Sequence, residues 1–264
     1  MSELAPNDRH GPMSEVWSPA AFALQRLCIE WVRRCHRLDL TGDLTAPEAP
    51  VLFVANHGFG GVFDLNVFAV LAAFDTMALD RPVTILTHQL AWTLKVGRLL
   101  EPLGARPASR TTALKAVAEG HHVLALPGGD LDAFKDHRDR HRIVFGERTG
   151  FASLAMEAGV PLVPIVTAGA GDSLLVLSDG QRLARALRLD RTLRLKALPV
   201  SLSVPWGLNV GVVGLLPYLP LPVKISTRVL PAMTARPGET AQEFAGRVEA
   251  AMQETLTRLA AGGR

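Results

Sequence analysis

Cysteine is scarce here: 264 residues contain only Cys28 and Cys35. Seven apart in a segment of helical pattern, they share one face and cannot bridge each other, so a disulfide framework is excluded and both are expected as buried or half-buried packing residues. There is one tyrosine, and phenylalanines are scattered singly. Without aromatics interleaved among basic residues there is no base-stacking platform, and no nucleic-acid partner is expected. A basic-then-apolar leader is also missing, because Pro6, Asn7, Asp8 and Pro12 precede any apolar run. Charge is thin at 20% of residues, against 48% apolar residues and a mean hydropathy of +0.20. Some apolar surface should therefore remain uncovered. The longest uncharged stretch, Ala197 to Val223, has the length to cross a bilayer, but five prolines and three glycines within it would leave backbone groups unsatisfied in lipid. Residues 197–223 read instead as an apolar loop-and-strand region, either a buried subdomain or a surface that dips into a membrane without crossing it.

What is present bounds the rest. The length suits one α/β domain over residues 20–264 behind a flexible tail, 1–19. A formal charge of +3 and a pI near 9.2 suit anionic headgroups or a phosphorylated co-substrate. Within 20–40, the stretch Ala20 to Leu38 sets Phe22, Leu24, Leu27, Ile29, Trp31 and Val32 against Arg26, Arg33, Arg34 and Arg37, an amphipathic helix with a basic end. It could lie in a membrane interface or pack on the domain.

An alternation then fixes the fold class. Strand-like runs at Val51–Ala55, Pro82–Thr87, His122–Leu126 and Pro161–Val166 are separated by helical stretches at Asp64–Leu79, Gln89–Leu100, Thr111–Glu119 and Phe151–Ala158. Strands spaced by helices imply right-handed crossovers and a largely parallel sheet flanked by helices, with chemistry at the carboxyl ends of the strands. A last helix is expected over Thr240–Leu259.

His57 falls just past the first of these strands, where a side chain can face a cleft. Imidazole is the group best suited to take a proton from a hydroxyl near neutral pH, and Asp64 is the nearest carboxylate. If Asp64 accepts from one ring nitrogen it frees the other as a base. It could equally be the N-cap of the next helix, with His57 a hydrogen-bonded loop residue, and spacing alone favours that reading.

Four blocks shift the balance. Val54-Ala55-Asn56-His57 with Asp64, then Gly104-Ala105-Arg106-Pro107-Ala108-Ser109-Arg110, then Val123-Leu124-Ala125-Leu126-Pro127-Gly128-Gly129, then Gly146-Glu147-Arg148-Thr149-Gly150-Phe151 with Val160-Pro161-Leu162-Val163-Pro164 follow one another within residues 50–175. Their order resembles the glycerolipid acyltransferase superfamily, the lysophosphatidic acid acyltransferases and their diacylglycerol-acyltransferase-like relatives. The last block is the most specific. Two departures stand out. Six residues, Gly58 to Phe63, separate His57 from Asp64, where the family block is Asn-His-x4-Asp; and the family's glutamate after the proline falls on Gly128, its following arginine on Leu131. A glycerol-phosphate acceptor is correspondingly less expected.

The resemblance implies a fatty acyl transfer from an acyl thioester, acyl-CoA or acyl-ACP as co-substrate, to a hydroxyl of a lipid or lipid-like acceptor, with no tightly bound cofactor and no metal. It implies His57 as general base and Asp64 as its partner. Arg106, Arg110, Gly128, Gly129 and Arg148 would hold substrate phosphates or headgroup, and amides of Gly58, Gly60 and Gly61, or of Gly128 and Gly129, would receive the oxyanion. A cytoplasmic enzyme, peripheral on the inner face of the membrane and serving phospholipid biosynthesis, is the expectation; the alternative is a lipid-binding protein that keeps the fold without the reaction. The charge-dense Lys135–Arg142 segment reads as a solvated loop, and His121-His122 as structural.

Overall fold

The computed structural model describes residues 19–59, 64–89, 92, 97–189, 196–211 and 218–262. The chain enters through α1 (Pro19–Cys35), with proline at the helix start, where its missing N–H costs no hydrogen bond. Ile29 and Val32 are buried, and Arg26 and Arg33 reach Asp75 on the next helix at 2.7 and 2.8 Å. One face of α1 therefore packs on the domain, while Leu24 and Leu27 of the same helix stay exposed. Cys28 is half-buried as expected; Cys35, in the last turn, is exposed, which corrects the packing role foreseen for it. The expected tail, apart from Pro19, lies outside the described residues.

There follow β1 (Asp39–Gly42), β2 (Leu52–Ala55), α2 (Leu65–Met77), β3 (Val83–Thr87), α3 (Gly97–Leu100), β4 (Ala105–Pro107), α4 (Arg110–Ala118), β5 (His122–Ala125), α5 (Gly129–Ala133), α6 (Gly150–Ala158) and β6 (Leu162–Ala168). Then come β7 (Leu175–Ser178), α7 (Gln181–Ala186), β8 (Val200–Ser203), β9 (Gly207–Val210), β10 (Ser226–Val229) and α8 (Ala241–Gly262). Seven strands form one sheet in the order β1-β10-β6-β2-β5-β3-β4, and β7-β8-β9 form a second, antiparallel one. In the large sheet β6, β2, β5, β3 and β4 run parallel, and β10 turns antiparallel to β6 and carries β1 beside it. The fold is thus α/β with a largely parallel sheet, as expected. Every described residue of the helix expected over Gln89–Leu100, namely Gln89, Trp92 and the turn α3, is helical, and a 3-10 turn, Glu101–Leu103, follows; 90–91 and 93–96 lie outside the described residues. β4 was not foreseen, being three residues at an edge, ending in proline and carrying an exposed Arg106.

The strands that position the site are buried on both faces: every residue of β2, β5 and β6 is buried. Alternation splits them between two layers. Phe53, Leu124 and Ile165 face α1 and α2, where they meet Ile29, Val32, Ala69, Val70 and Phe74. Leu52, Val54, Val123, Leu162 and Val166 face α4, α6 and α8. In α8, Phe244, Val248, Met252 and Leu256 recur every fourth residue, the stripe that seats the helix on β6 and α6. Each such side chain contributes roughly 1.5–3 kcal/mol of burial, enough to hold β2 rigid beneath the residues that follow it.

Candidate active site

β2 ends at Ala55, and the next two residues leave the sheet between β6 and β5. Asn56, 2% exposed, ties this exit to β6: its Oδ1 accepts from the Thr167 amide at 2.9 Å and its Nδ2 donates to the Thr167 carbonyl at 3.0 Å. Asn66, in the first turn of α2, donates from Nδ2 to the Asn56 carbonyl at 3.0 Å. The backbone presenting His57 is therefore held from both sides before His57 makes any contact of its own.

His57 Nδ1 lies 2.6 Å from Asp64 Oδ2. The imidazole is 19% exposed and the carboxylate 7%, so the pair sits at the floor of the surface and is little screened by water. Asp64 Oδ1 accepts from the Asn66 amide at 3.0 Å and from the Gly58 amide at 3.3 Å. Asp64 is therefore both the N-cap of α2 and the partner of His57, two roles that spacing alone set against each other. Gly58 is required by closeness: a Cβ there would stand 2.9 Å from Ala170 Cβ and 3.0 Å from Asn66 Oδ1. With Nδ1 engaged, Nε2 is the ring nitrogen left for a substrate.

Asp132 adds a support that the sequence reading did not identify. Wholly buried in the last turn region of α5, its Oδ2 accepts from the His57 amide at 2.7 Å. Its Oδ1 accepts from Lys135 Nζ at 2.6 Å and from the Val144 amide at 3.2 Å. Lys135 Nζ also donates to the Arg142 carbonyl at 2.8 Å, and Arg140 pairs with Asp172 at 2.7 Å. The Lys135–Arg142 segment is thus docked, not the solvated loop that its charge density suggested, because a buried carboxylate at its start demands a cation. The only available signal was an aspartate two residues beyond Asp130, after a Gly-Gly pair.

Gly128 and Gly129 stand at the carboxyl end of β5, adjacent to β2. Arg148 clamps this turn: Nη1 donates to the carbonyls of Pro127 (2.9 Å) and Gly128 (2.7 Å), and Nη2 meets Asp130 at 3.0 Å. Gly128 has no room for a side chain, since a Cβ would run into Asp132 and the Val144 carbonyl. The other two arginines stand elsewhere. Arg106, on β4, is three strands from β2, about 14 Å across the sheet; it curls back onto the carbonyls of Glu101 and Ala105. Arg110 forms a fork onto Glu157 of α6, with Nε to Oε2 at 2.6 Å and Nη2 on Oε1. Of the glycines expected to receive an oxyanion, Gly58 gives its amide to Asp64, Gly129 gives its own to the Leu126 carbonyl, and Gly60 and Gly61 lie outside the described residues.

An apolar wall closes one side. Phe59, two residues after His57, packs with Tyr218, Phe134, Leu174 and Val176, its ring centroid 5.9 Å from Tyr218 and 5.7 Å from Phe134. Burial, reinforced by the Asp64 carboxylate, pushes the Tyr218 phenol well above its usual range, so it stays neutral. His122 is structural: its Nδ1 accepts from the Val51 amide at 3.2 Å, beneath the sheet end opposite His57. No cluster of metal-binding side chains occurs among the described residues, and no helix among them is long and apolar enough to cross a membrane.

Comparison with known proteins places this geometry in context. The acyltransferase family model matches residues 37–168. The chain is 27% identical over 250 residues to a Gallus gallus protein described as a DGAT1/2-independent enzyme synthesizing storage lipids, an alignment covering 94% of this chain and 68% of that one. It is 29% identical over 238 residues to an uncharacterized protein of Mycobacterium tuberculosis, covering 86% of this chain and 63% of its relative. In fold it is similar to the 1-acyl-sn-glycerophosphate (LPA) acyltransferase PlsC of Thermotoga maritima, with a TM-score of 0.55, 13% identity, and coverage of 91% of this chain and 82% of that one.

Proposed function

This chain belongs to the glycerolipid acyltransferase superfamily, and from that premise we propose that it moves a fatty acyl group from an acyl thioester to a hydroxyl of a neutral lipid or lipid-like acceptor, with His57 as general base. The observation that carries the reading is the 2.6 Å contact between His57 Nδ1 and Asp64 Oδ2 at the carboxyl end of β2. Asp64 holds the proton on Nδ1, so the Nε2 lone pair takes the proton of the acceptor hydroxyl as its oxygen attacks the thioester carbonyl. The tetrahedral intermediate collapses, the C–S bond breaks, and the thiolate recovers the proton from the imidazolium. No serine or cysteine nucleophile is required. Asp132 and Asn56 contribute by fixing the His57 backbone, a positioning role.

A neutral acceptor is favoured because Gly128 and Leu131 stand where the family's acid and arginine would help hold a phosphate, and because Arg148 is already spent on the Gly128-Gly129 turn. The storage-lipid role in the description of the Gallus gallus relative agrees with this. Exposed Arg106 and Arg110 are the candidates for the phosphates of coenzyme A or of an acyl carrier protein. Gly60 and Gly61 remain candidates for oxyanion donation. The enzyme would work at the cytoplasmic face of a membrane, where such substrates reside. The test is thiol release by purified protein from acyl-CoA or acyl-ACP, offered diacylglycerol, a long-chain alcohol or lysophosphatidate. Release that requires a neutral acceptor and disappears in His57→Ala supports the reading; bound acyl lipid with no turnover would leave the non-catalytic lipid-binding alternative.

A further inference from the structure

The small sheet β7-β8-β9 is inside out. Directly opposed residues Leu175, Leu202 and Leu208 form one row across the three strands, 38%, 48% and 66% exposed. The row behind it, Val176, Ser201 and Asn209, faces the protein, with Ser201 wholly buried. Val204, Trp206 and Val210 continue the outer face at 52%, 48% and 54% exposure. A soluble sheet places its serines outward and its leucines inward; here β8 and β9 reverse that polarity, and β7 adds an outward Leu175 to the apolar row. An apolar face of this kind marks a contact surface.

Its charge indicates what covers it. In the connection between β7 and β8, the described residues 181–189 hold Arg182, Arg185 and Arg188 and no acid. Arg182, Arg185 and Arg188 are exposed, and Leu183 and Leu187 between them are 39% and 55% exposed. A second copy of this chain would bring two such basic segments together. An anionic bilayer satisfies both features, the hydrocarbon side taking the leucine rows and the headgroups taking the arginines, with Trp206 suited to the interface between them.

We infer that the outer face of β7-β8-β9, with Arg182, Arg185 and Arg188 beside it in sequence, forms the surface by which this protein seats itself on an anionic lipid bilayer. The assignment rests on the proposal that the substrates are lipids, and it identifies the element that meets them. It also explains the inner row: Val176 packs against Phe59 and Tyr218, so the docking sheet backs directly onto the wall beside His57.

The test is flotation of the purified protein with vesicles of phosphatidylcholine alone or with phosphatidylserine added. Binding should require the anionic lipid. Leu202→Glu with Leu208→Glu should weaken it at least tenfold, and Arg182→Gln, Arg185→Gln and Arg188→Gln together should weaken it about a hundredfold, at roughly one decade or somewhat less per arginine. Should the glutamate variant fail to fold, quenching of wild-type fluorescence by bromolipids, lost in Trp206→Phe, reads the same contact. Thiol release from a water-soluble short-chain thioester and acceptor should be unchanged in all of these variants, so loss of docking is separable from loss of the reaction. Equal binding by wild type and the glutamate or arginine variants, no quenching at Trp206, or conversion of a dimer to a monomer without any change in vesicle binding would each overturn the inference.

Discussion

Replacing Asp64 by asparagine separates the two tasks this residue performs. Asparagine keeps the volume of the buried side chain, and an amide oxygen in place of Oδ1 can still accept from the Asn66 and Gly58 amides, now at 3.0 and 3.3 Å. As helix N-caps Asn and Asp are near equals, so the folded state should lose no more than about 1 kcal/mol. At the other oxygen the change is chemical. The position 2.6 Å from His57 Nδ1 becomes an NH2 donor, which forces Nδ1 to act as acceptor and puts the proton on Nε2. The base is then blocked by its own tautomer, and no carboxylate remains to stabilise the imidazolium. Where a carboxylate orients a catalytic histidine in this way, the loss in kcat is on the order of 10³–10⁴, about 4–5.5 kcal/mol. Asp64→Ala should match that loss in kcat and, unlike Asp64→Asn, also destabilise the fold by about 1–2 kcal/mol through the missing cap. Thiol release under saturating acyl thioester and acceptor gives kcat, and urea unfolding gives stability. If Asp64→Asn kept activity within tenfold of the parent, Asp64 would be a helix cap only and the proposed base mechanism would fail.

Burial holds His122 at about 4, with the Asp80 carboxylate opposing and the nearby Arg81 and His121 charges assisting, whereas the unfolded imidazole titrates near 6.5. Between these values the unfolded chain binds the extra proton, so stability should fall as pH drops from about 6.5 to about 4, by on the order of 2–3 kcal/mol, and be fully present above 6.5; His122→Asn should flatten that slope in urea titrations at several pH values. Asp132→Ala strips the partner from buried Lys135 and should cost about 3–5 kcal/mol, together with activity lost through the freed His57 backbone. Arg148→Lys cannot span two carbonyls and a carboxylate with one ammonium, and a loss of about 1–3 kcal/mol in thermal or urea unfolding is expected. Ala78 ends α2 with φ of 52°, exposed, so Ala78→Gly should stabilise the fold by about 0.5–1 kcal/mol; a drop in Tm would refute this.

The large sheet was legible because β2, β5 and β6 are continuous apolar runs spaced by helices, and a parallel sheet buried on both faces leaves that trace. His57 was legible for the same reason, since it follows such a run directly. What escaped was set by partners distant in sequence. Asp132 looks like any surface acid until its oxygens are found on His57, Val144 and Lys135. Arg148, expected to hold substrate, turns onto the Pro127 and Gly128 carbonyls and Asp130. The uncharged stretch Ala197–Val223 was read as strand and loop through its breakers, but its orientation was not legible: period-2 alternation states which residues share a face and not which face meets the protein.

β10 enters the large sheet between β6 and β1, so β1, near the start of the chain, finds its hydrogen-bonding partner only at Ser226–Val229. During synthesis β1 must therefore wait until Ser226–Val229 has been made before it can pair, and the gap between β1 and β6 closes last. The segment 37–168 that carries the family resemblance contains β1 without the strand that anchors it, and it lacks α8, which covers β6. Excised, that segment would present β6 as a bare edge and an apolar face stripped of its helix.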